Sequence, residues 1–392
     1  MVMVRPEGPA VSGERGDSGF RALRAAVPAL LAYSAIRILC LAVLYLWSWF
    51  TGRDATDLLA RRWDSLWYVR VIEEGYGFTL QAPDGRVLSN MAFFPLLPWL
   101  ESLVSAVTSL SPAHAGLFIS AVASLVAAYG IFTVTEQLYG PRSGFFAVVL
   151  WAVLPVGIVQ SMAYSESLFV ALAVWSLRWS MNGDWMRAGV LASLAGLTRP
   201  VGLAVTAAVW AAALVQIWAT SDNRDGVRPA GRMVLGLCVA PLGAVGYILW
   251  VGHRTGTPWG YLDVQAEWGN GFDGGLAFSK FIAGLLLGPS FLAGLALLAG
   301  VFAIGWLYRR TIIEKQPVAL TVYCGVVVIL AICASGYFGS KPRLLIPAFP
   351  LLLPLANMLS RAAGAKAVGI AGTAALVAAV YGAFWLNGSG PP

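Results

Sequence analysis

The chain has 392 residues, of which 58% are hydrophobic and 11% charged, with a mean hydropathy of +0.74 and a formal net charge of +7. Soluble domains hold about 45–50% apolar residues, so this composition excludes a soluble globular protein and places the chain in a membrane. The apolar segments are continuous runs, not alternating ten-residue strands, which excludes a transmembrane barrel, and positive charge that collects in loops between spans implies no nucleic-acid partner.

Residues 1–24 are rich in Gly, Arg and Glu and lack an apolar stretch. They read as a disordered cytoplasmic tail and not as a signal peptide. Residues 25–392 read as one membrane domain, since no internal repeat or low-complexity linker divides them. The first span covers about residues 24–50. An extracytoplasmic loop with amphipathic, interfacial helices follows over 51–111. Its segment NMAFFPLLPWLESLVSAVTSL is apolar but broken by Pro95 and Pro98, with Glu101 midway, which favours a surface-lying or re-entrant helix over a crossing.

Further spans cover about 112–138, 143–161, 166–180, 186–198, 200–219 and 233–251. A second polar loop occupies 252–275. The tract 276–308, broken at Gly288-Pro289-Ser290, crosses once, and the last spans are about 317–335, 343–360 and 366–386. The pattern predicts an all-α polytopic membrane protein with about ten or eleven transmembrane helices, each about 20 residues long where it crosses fully.

Starting inside and crossing once per span leaves 15 of the 26 Lys and Arg residues in the cytoplasmic loops and tail, as the positive-inside rule requires. The short polar motifs embedded between spans then share the outer face: the 51–90 loop, AYSES, LTRP, the 252–275 loop and GSKPR. A common site needs such an arrangement.

Several residues on that face could carry chemistry, and each has an ordinary alternative. Asp64 opens an amphipathic run, SLWYVRVIEEGY, with aromatics at helical spacing suited to the headgroup level; it is either a reactive carboxylate or the N-cap of an interfacial helix. Arg199 and Arg343, with Lys341 beside it, lie at the outer ends of helices, where basic side chains either snorkel or bind anions. Glu166 begins a span, where a carboxylate also favours a helix N-terminus. Arg37 lies inside the first span, at a cost of about 2.5–3.5 kcal/mol, and should face protein. The four cysteines sit in apolar runs without metal-ligand spacing. His114 and His253 form no metal or triad pattern, and no Asp-x-Asp occurs, so no metal or other cofactor is expected.

The motifs RWDSLWYVRVIEEGY and NMAFFPLLP resemble the signature of the PIG-V family, the second mannosyltransferase of glycosylphosphatidylinositol assembly. Its Trp-Asp, Gly-Tyr and Ala-Phe-Phe-Pro elements match Trp63-Asp64, Gly75-Tyr76 and Ala92-Phe93-Phe94-Pro95. AYSES, from Ala163 to Ser167, resembles the family's Ala-Tyr-Ser-Glu, and Arg199 in LTRPVGL resembles an Arg followed by a small residue and Gly. The family's Asn after that Arg is replaced here by Val201.

The resemblance implies the GT-C class of membrane glycosyltransferases. Charge placement and an Arg-rich, bacterial-type composition make the chain a multi-pass protein of the plasma membrane with a cytoplasmic N-terminus and an extracytoplasmic site, where, as the resemblance implies, mannose passes with inversion from polyprenyl-phosphate-mannose to a glycolipid or glycan acceptor. Asp64 would act as general base. Arg199, Arg343 and Lys341 would hold the donor phosphate, and Trp63, Trp67, Tyr76, Phe94, Tyr164, Ser165 and Glu166 would contact substrate. Arg61 and Arg62, if close, would keep Asp64 ionised. The alternatives are a GT-C enzyme that moves another sugar or modifies protein, and a lipid or sugar transporter. Span interiors nearly free of acidic residues argue against a carrier.

Overall fold

The protein is described by a computed structural model over residues 12–221, 231–362 and 364–388. Much of the expected tail therefore lies outside the described residues, although helix α1 (Ser12–Thr51) already begins within it. The chain continues through α2 (Ala55–Ala60), α3 (Asp64–Glu74), the strands β1 (Thr79–Gln81) and β2 (Val87–Ser89), and α4 (Leu96–Val107). Then come α5 (Pro112–Tyr139), α6 (Pro141–Ala152), α7 (Glu166–Met181), α8 (Trp185–Gly196), α9 (Gly202–Ser221), α10 (Gly231–Val239), α11 (Leu242–Thr255) and α12 (Gly260–Glu267). The last part holds β3 (Gly271–Phe272), α13 (Leu276–Leu286), α14 (Phe291–Ile313), α15 (Val318–Cys333), β4 (Ala334–Ser335), α16 (Lys341–Leu344), α17 (Leu352–Ser360) and α18 (Gly364–Leu386).

The all-α membrane architecture is present, and its apolar runs divide into long and short helices. Among the described residues, six helical segments are long and apolar enough to cross: Ala22–Thr51, Pro112–Tyr139, Gly202–Thr220, Gly231–Thr255, Phe291–Ile313 and Gly364–Leu386. A seventh is possible where Phe338–Leu344 and Phe349–Ser360 meet at 73°. The expected spans at 143–161, 166–180, 186–198 and 317–335 become helices of 12 to 16 residues. Irregular backbone between short helices is tolerated at membrane depth when protein covers it, and here α6, α7 and α8 pack among α5, α9, α10 and α17.

Within the bundle α5 is the central helix, with 61% of its span window buried, against 6% for α14, whose surface is left to lipid. Alanine and glycine let the inner helices approach closely, as in membrane bundles generally. A Cβ at Gly189 of α8 would lie 2.1 Å from the carbonyl oxygen of Gly236 of α10. Arg37 faces protein as expected: the residue is buried, and its guanidinium donates to the carbonyls of Ala152 and Gly157, which flank the break after α6. That charge is stabilised by carbonyls which the broken helix leaves without helical partners.

The 51–111 loop is a layer of short elements. Asp54 caps α2 by accepting from the backbone N–H groups of Thr56 and Asp57. Strands β1 and β2 pair antiparallel, Leu80 opposite Leu88, and α4 lies against α5 and α3. The segment 276–308 also divides as expected, into short α13 and crossing α14.

Candidate active site

Asp64 is the first residue of α3, and its N-cap is Trp63. The expectation that Asp64 itself caps the helix is therefore not met. Trp63 has φ +51° and ψ −119°, a conformation that costs a non-glycine residue about 1–3 kcal/mol and collects at functional sites. The neighbouring residues hold it there. Arg62 lies over the Trp63 ring at 4.0 Å, its backbone N–H donates to Ser65 Oγ at 2.9 Å, and Ser65 Oγ donates back to the Arg62 carbonyl at 2.7 Å. A side-chain cap is thus replaced by a tight turn that presents Asp64 at the helix end.

Opposite Asp64 stands the segment between α6 and α7. Its backbone is anchored from several sides: Ala163 N–H donates to the Leu59 carbonyl at 3.1 Å, Ser120 Oγ to the Tyr164 carbonyl at 3.1 Å, and Ser167 Oγ to the Gln160 carbonyl at 3.1 Å. Gln160 in turn accepts from Tyr33 Oη at 2.9 Å and donates to the Trp151 carbonyl at 2.9 Å. Satisfied buried networks of this kind rigidify what they hold. They fix Tyr164, Ser165 and Glu166 at the N-terminus of α7.

Four charged side chains meet there. Arg343 Nη1 lies 2.9 Å from Asp64 Oδ2, and its Nε lies 3.3 Å from Glu166 Oε1. Arg199, from the turn between α8 and α9, pairs with the same Glu166 oxygen and reaches Ser165 Oγ at 3.4 Å. Glu166 is 1% exposed, Arg343 11%, Arg199 14% and Asp64 24% by side chain, so the array is open to solvent mainly through Asp64. These contacts are close enough for ion pairing but are not aligned as hydrogen bonds. Nε and Nη1 of Arg343 and both oxygens of Glu166 are buried without a hydrogen-bond partner among the described residues. Buried groups in that condition are uncommon and hold unused bonding capacity.

Tyr164 completes the floor. Its ring lies 5.2 Å under the Arg343 guanidinium, and its hydroxyl accepts from the Asp64 backbone N–H at 3.4 Å. Tyr68, one helical turn after Asp64 on α3, donates from Oη to Ser165 Oγ at 2.9 Å. Burial first, and the neighbouring Asp64 carboxylate second, push the Tyr68 phenol above its ordinary range, so it stays a neutral donor. Tyr68 was not among the residues singled out from sequence. The i, i+4 relation to Asp64 was the available signal, since such pairs share a helix face.

The other expected residues fall elsewhere. Arg61 pairs at 3.6 Å with Asp57, and Arg62 donates to the carbonyls of Leu386 and Gly388, so the cation on Asp64 is Arg343 and not its chain neighbours. Lys341 is buried and donates from Nζ to the carbonyls of Ala331 at 2.8 Å, Ile332 at 3.3 Å and Ala334 at 2.7 Å. It closes the C-terminus of α15 and is spent there. Trp67 stacks on Phe93 with centroids 5.6 Å apart and meets Trp268 edge-on at 4.7 Å. Tyr76 and Phe94 belong to a second aromatic cluster with Tyr247 and Tyr261, and Tyr76 Oη donates to the Phe93 carbonyl at 2.8 Å. These two rings fasten the loop to α11 and α12. Among the described residues no group of three or more His, Cys, Asp or Glu is placed to hold a metal ion.

The helix arrangement matches the crystal structure of ArnT from Cupriavidus metallidurans bound to undecaprenyl phosphate, with a TM-score of 0.54 and 14% identity over 88% of this chain and 62% of that one. This chain has the GT-C glycosyltransferase fold. The apo state of the same ArnT gives a TM-score of 0.49 at 14% identity, covering 91% of this chain and 62% of that one. The archaeal oligosaccharyltransferase AglB from Archaeoglobus fulgidus, in complex with an inhibitory peptide and a dolichol-phosphate, gives 0.46 at 13% identity, covering 92% and 56%. The chain thus spans about 62% of the length of the ArnT whose GT-C fold it shares. No protein-family model matches the sequence, and no curated protein matches it.

Proposed function

We propose that the protein is a membrane glycosyltransferase that moves a sugar from a polyprenyl-phosphate carrier to a hydroxyl acceptor, with Asp64 as general base and Arg343 and Arg199 on the donor phosphate. The observation that carries this reading is the Arg343–Asp64 pair beside Glu166 and Arg199. A carboxylate open to solvent sits next to the Arg343 guanidinium, whose bonding capacity is partly unused among the described residues. The undecaprenyl phosphate in the ArnT structure, which has the same fold, supports a lipid phosphate as the donor's leaving group.

In the resting site Arg343 pairs with Asp64. A donor phosphate competes for the same guanidinium, because Arg presents a fork that matches two phosphate oxygens, and Asp64 is then freed to face the acceptor. The acceptor oxygen attacks the anomeric carbon as the carbon–oxygen bond to phosphate breaks, and its proton passes to Asp64. Attack opposite the leaving group inverts the anomeric centre. The leaving phosphate keeps the bond's electron pair, and its charge is stabilised by fixed cations at a site that needs little reorganisation. Glu166 positions both guanidinium groups, and Tyr68 and Ser165 steady that arrangement.

The motif resemblance makes mannose the sugar and a glycolipid or glycan the acceptor, at the extracytoplasmic face of the plasma membrane. Membranes containing the protein, given radiolabelled polyprenyl-phosphate mannose and a crude lipid and glycan extract, test this directly. Label should move into the extract and stop doing so in Asp64→Asn. Transfer only from a nucleotide sugar would overturn the donor, and unchanged transfer in the variant would overturn the base.

A further inference from the structure

Just before Asp64 the chain makes a turn that its own sequence disfavours. Trp63 holds φ +51° without the freedom that glycine would bring, and such a conformation persists only where the surroundings over-determine it. Ser65 supplies the local support through its two hydrogen bonds to the Arg62 backbone. The support from elsewhere in the fold comes through one side chain. The Arg62 guanidinium lies over the Trp63 ring at 4.0 Å and also donates from Nη1 to the Leu386 carbonyl at 2.6 Å and from Nη2 to the Gly388 carbonyl at 2.9 Å.

Those carbonyls lie 324 and 326 residues further along the chain, at the end of α18. The last carbonyls of a helix lack helical partners and carry the negative end of its dipole, so a guanidinium suits them. The end of α18 is itself fixed to α1. Thr51 Oγ1 donates to Asn387 Oδ1 at 2.9 Å, and Asn387 Nδ2 donates to Ser48 Oγ at 3.3 Å. A rigid pair of helix ends therefore stands behind the strained turn.

We propose that Arg62 is a positioning residue for the transfer reaction, and that the last turn of α18 is the support against which it holds Trp63. The proposal rests on the reading of Asp64 as the base. With Trp63 at positive φ, α3 starts at Asp64 with its backbone N–H toward Tyr164 Oη and its carboxylate on Arg343. Without the guanidinium, Trp63 relaxes to an ordinary negative φ, the peptide between Trp63 and Asp64 turns, and the carboxylate leaves its place. Arg62 touches no reacting atom, since the ring and the two carbonyls occupy it. Lysine would keep the charge but lacks the fork that reaches two carbonyls at once.

The test uses membranes containing the full chain, given radiolabelled polyprenyl-phosphate mannose and a crude lipid and glycan extract. Arg62→Gln and Arg62→Lys should each lower the maximal transfer rate by about 10²-fold, the usual effect of a small misplacement, and leave the half-saturating donor concentration unchanged. In a Trp63→Gly background, where a positive φ costs nothing, Arg62→Gln should add almost no further loss. Arg61→Gln, which breaks only an exposed pair with Asp57, should keep the wild-type rate. Hydrogen exchange of the purified chain should be faster over residues 61–68 in Arg62→Gln and unchanged at the start of α7. An unaltered rate in both Arg62 variants, a raised half-saturating donor concentration in place of a slower rate, a full further loss in the Trp63→Gly background, an equal loss in Arg61→Gln, or unaltered exchange would each overturn the proposal. Wild-type transfer in Asp64→Asn would instead overturn the base reading, and the exchange result would still decide whether Arg62 holds the turn.

Discussion

Asp64 and Arg343, from opposite ends of the chain, meet at 2.9 Å between Oδ2 and Nη1. The pair joins the loop after the first span to the short helix α16, which precedes the last two helices. In the proposed reaction its rupture by donor phosphate couples donor binding to release of the base. Asp64→Asn keeps the shape and removes the basicity. Transfer should fall by about 10²–10⁴-fold, the usual contribution of a positioned general base, while the thermal unfolding of the purified protein changes little, because Arg343 retains Glu166. A Brønsted-type rescue by an added small carboxylate would support the assignment, and unaltered turnover would end it.

Glu166 is enclosed between Arg343 and Arg199. Removing one member of a buried charge group leaves the others uncompensated, at a cost of about 3–5 kcal/mol. Glu166→Gln should therefore lower stability by that order. Arg199→Lys should raise the donor KM more than it lowers kcat, since lysine keeps the charge but loses the fork. A double-mutant cycle on Glu166 and Arg199 should give a coupling well above the additive limit of about 0.5 kcal/mol, and a null coupling would deny that they act as a unit.

Lys341 separates two roles cleanly. Its ammonium is bound by three carbonyls, so Lys341→Met should lower stability by about 1–3 kcal/mol, the cost of unpaired buried groups. Its donor KM should match the wild type. A raised donor KM without loss of stability would return Lys341 to the phosphate site.

Glu101 of α4 is 1% exposed, its Oε2 has no hydrogen-bond partner among the described residues, and burial pushes its carboxyl well above the usual range. The folded state therefore binds this proton more tightly than the unfolded state does, so stability is greatest below the ordinary Glu value of about 4.3 and falls as pH rises toward the folded value. Glu101→Gln removes that loss. The variant should melt with the wild type at about pH 4 and above it at about pH 8; parallel melting at both values would show the carboxyl to be solvated.

Gly189 faces the Gly236 backbone, with no room for a methyl group. Gly189→Ala should destabilise by about 1–3 kcal/mol or more, as overpacking does, measured by thermal unfolding in detergent. An unchanged midpoint would mean that α8 and α10 separate more easily than their contact implies.

The membrane class, the first-loop location of Asp64 and the positions of Tyr164, Ser165, Glu166, Arg199 and Arg343 could be read along the chain. They depend on hydropathy, on charge placement and on short motifs, all of which are local. The partner of Asp64 could not be read that way. Arg61 and Arg62 were the nearer cations, but α2 turns Arg61 toward Asp57 and α18 takes Arg62. The role of Lys341 was equally hidden, since only the fold puts the end of α15 under its ammonium.

Local sequence therefore determined that this chain enters a membrane as helices and which polar residues it holds between them, because the hydrophobic effect acts residue by residue. The breaks that divide apolar runs into short helices, the aromatic seating of Tyr76 and Phe94, and the ion pairs of Arg343 were decided by tertiary packing. Those features depend on which helix ends meet, and buried charges and carbonyls choose partners by distance in space, whatever their separation along the chain.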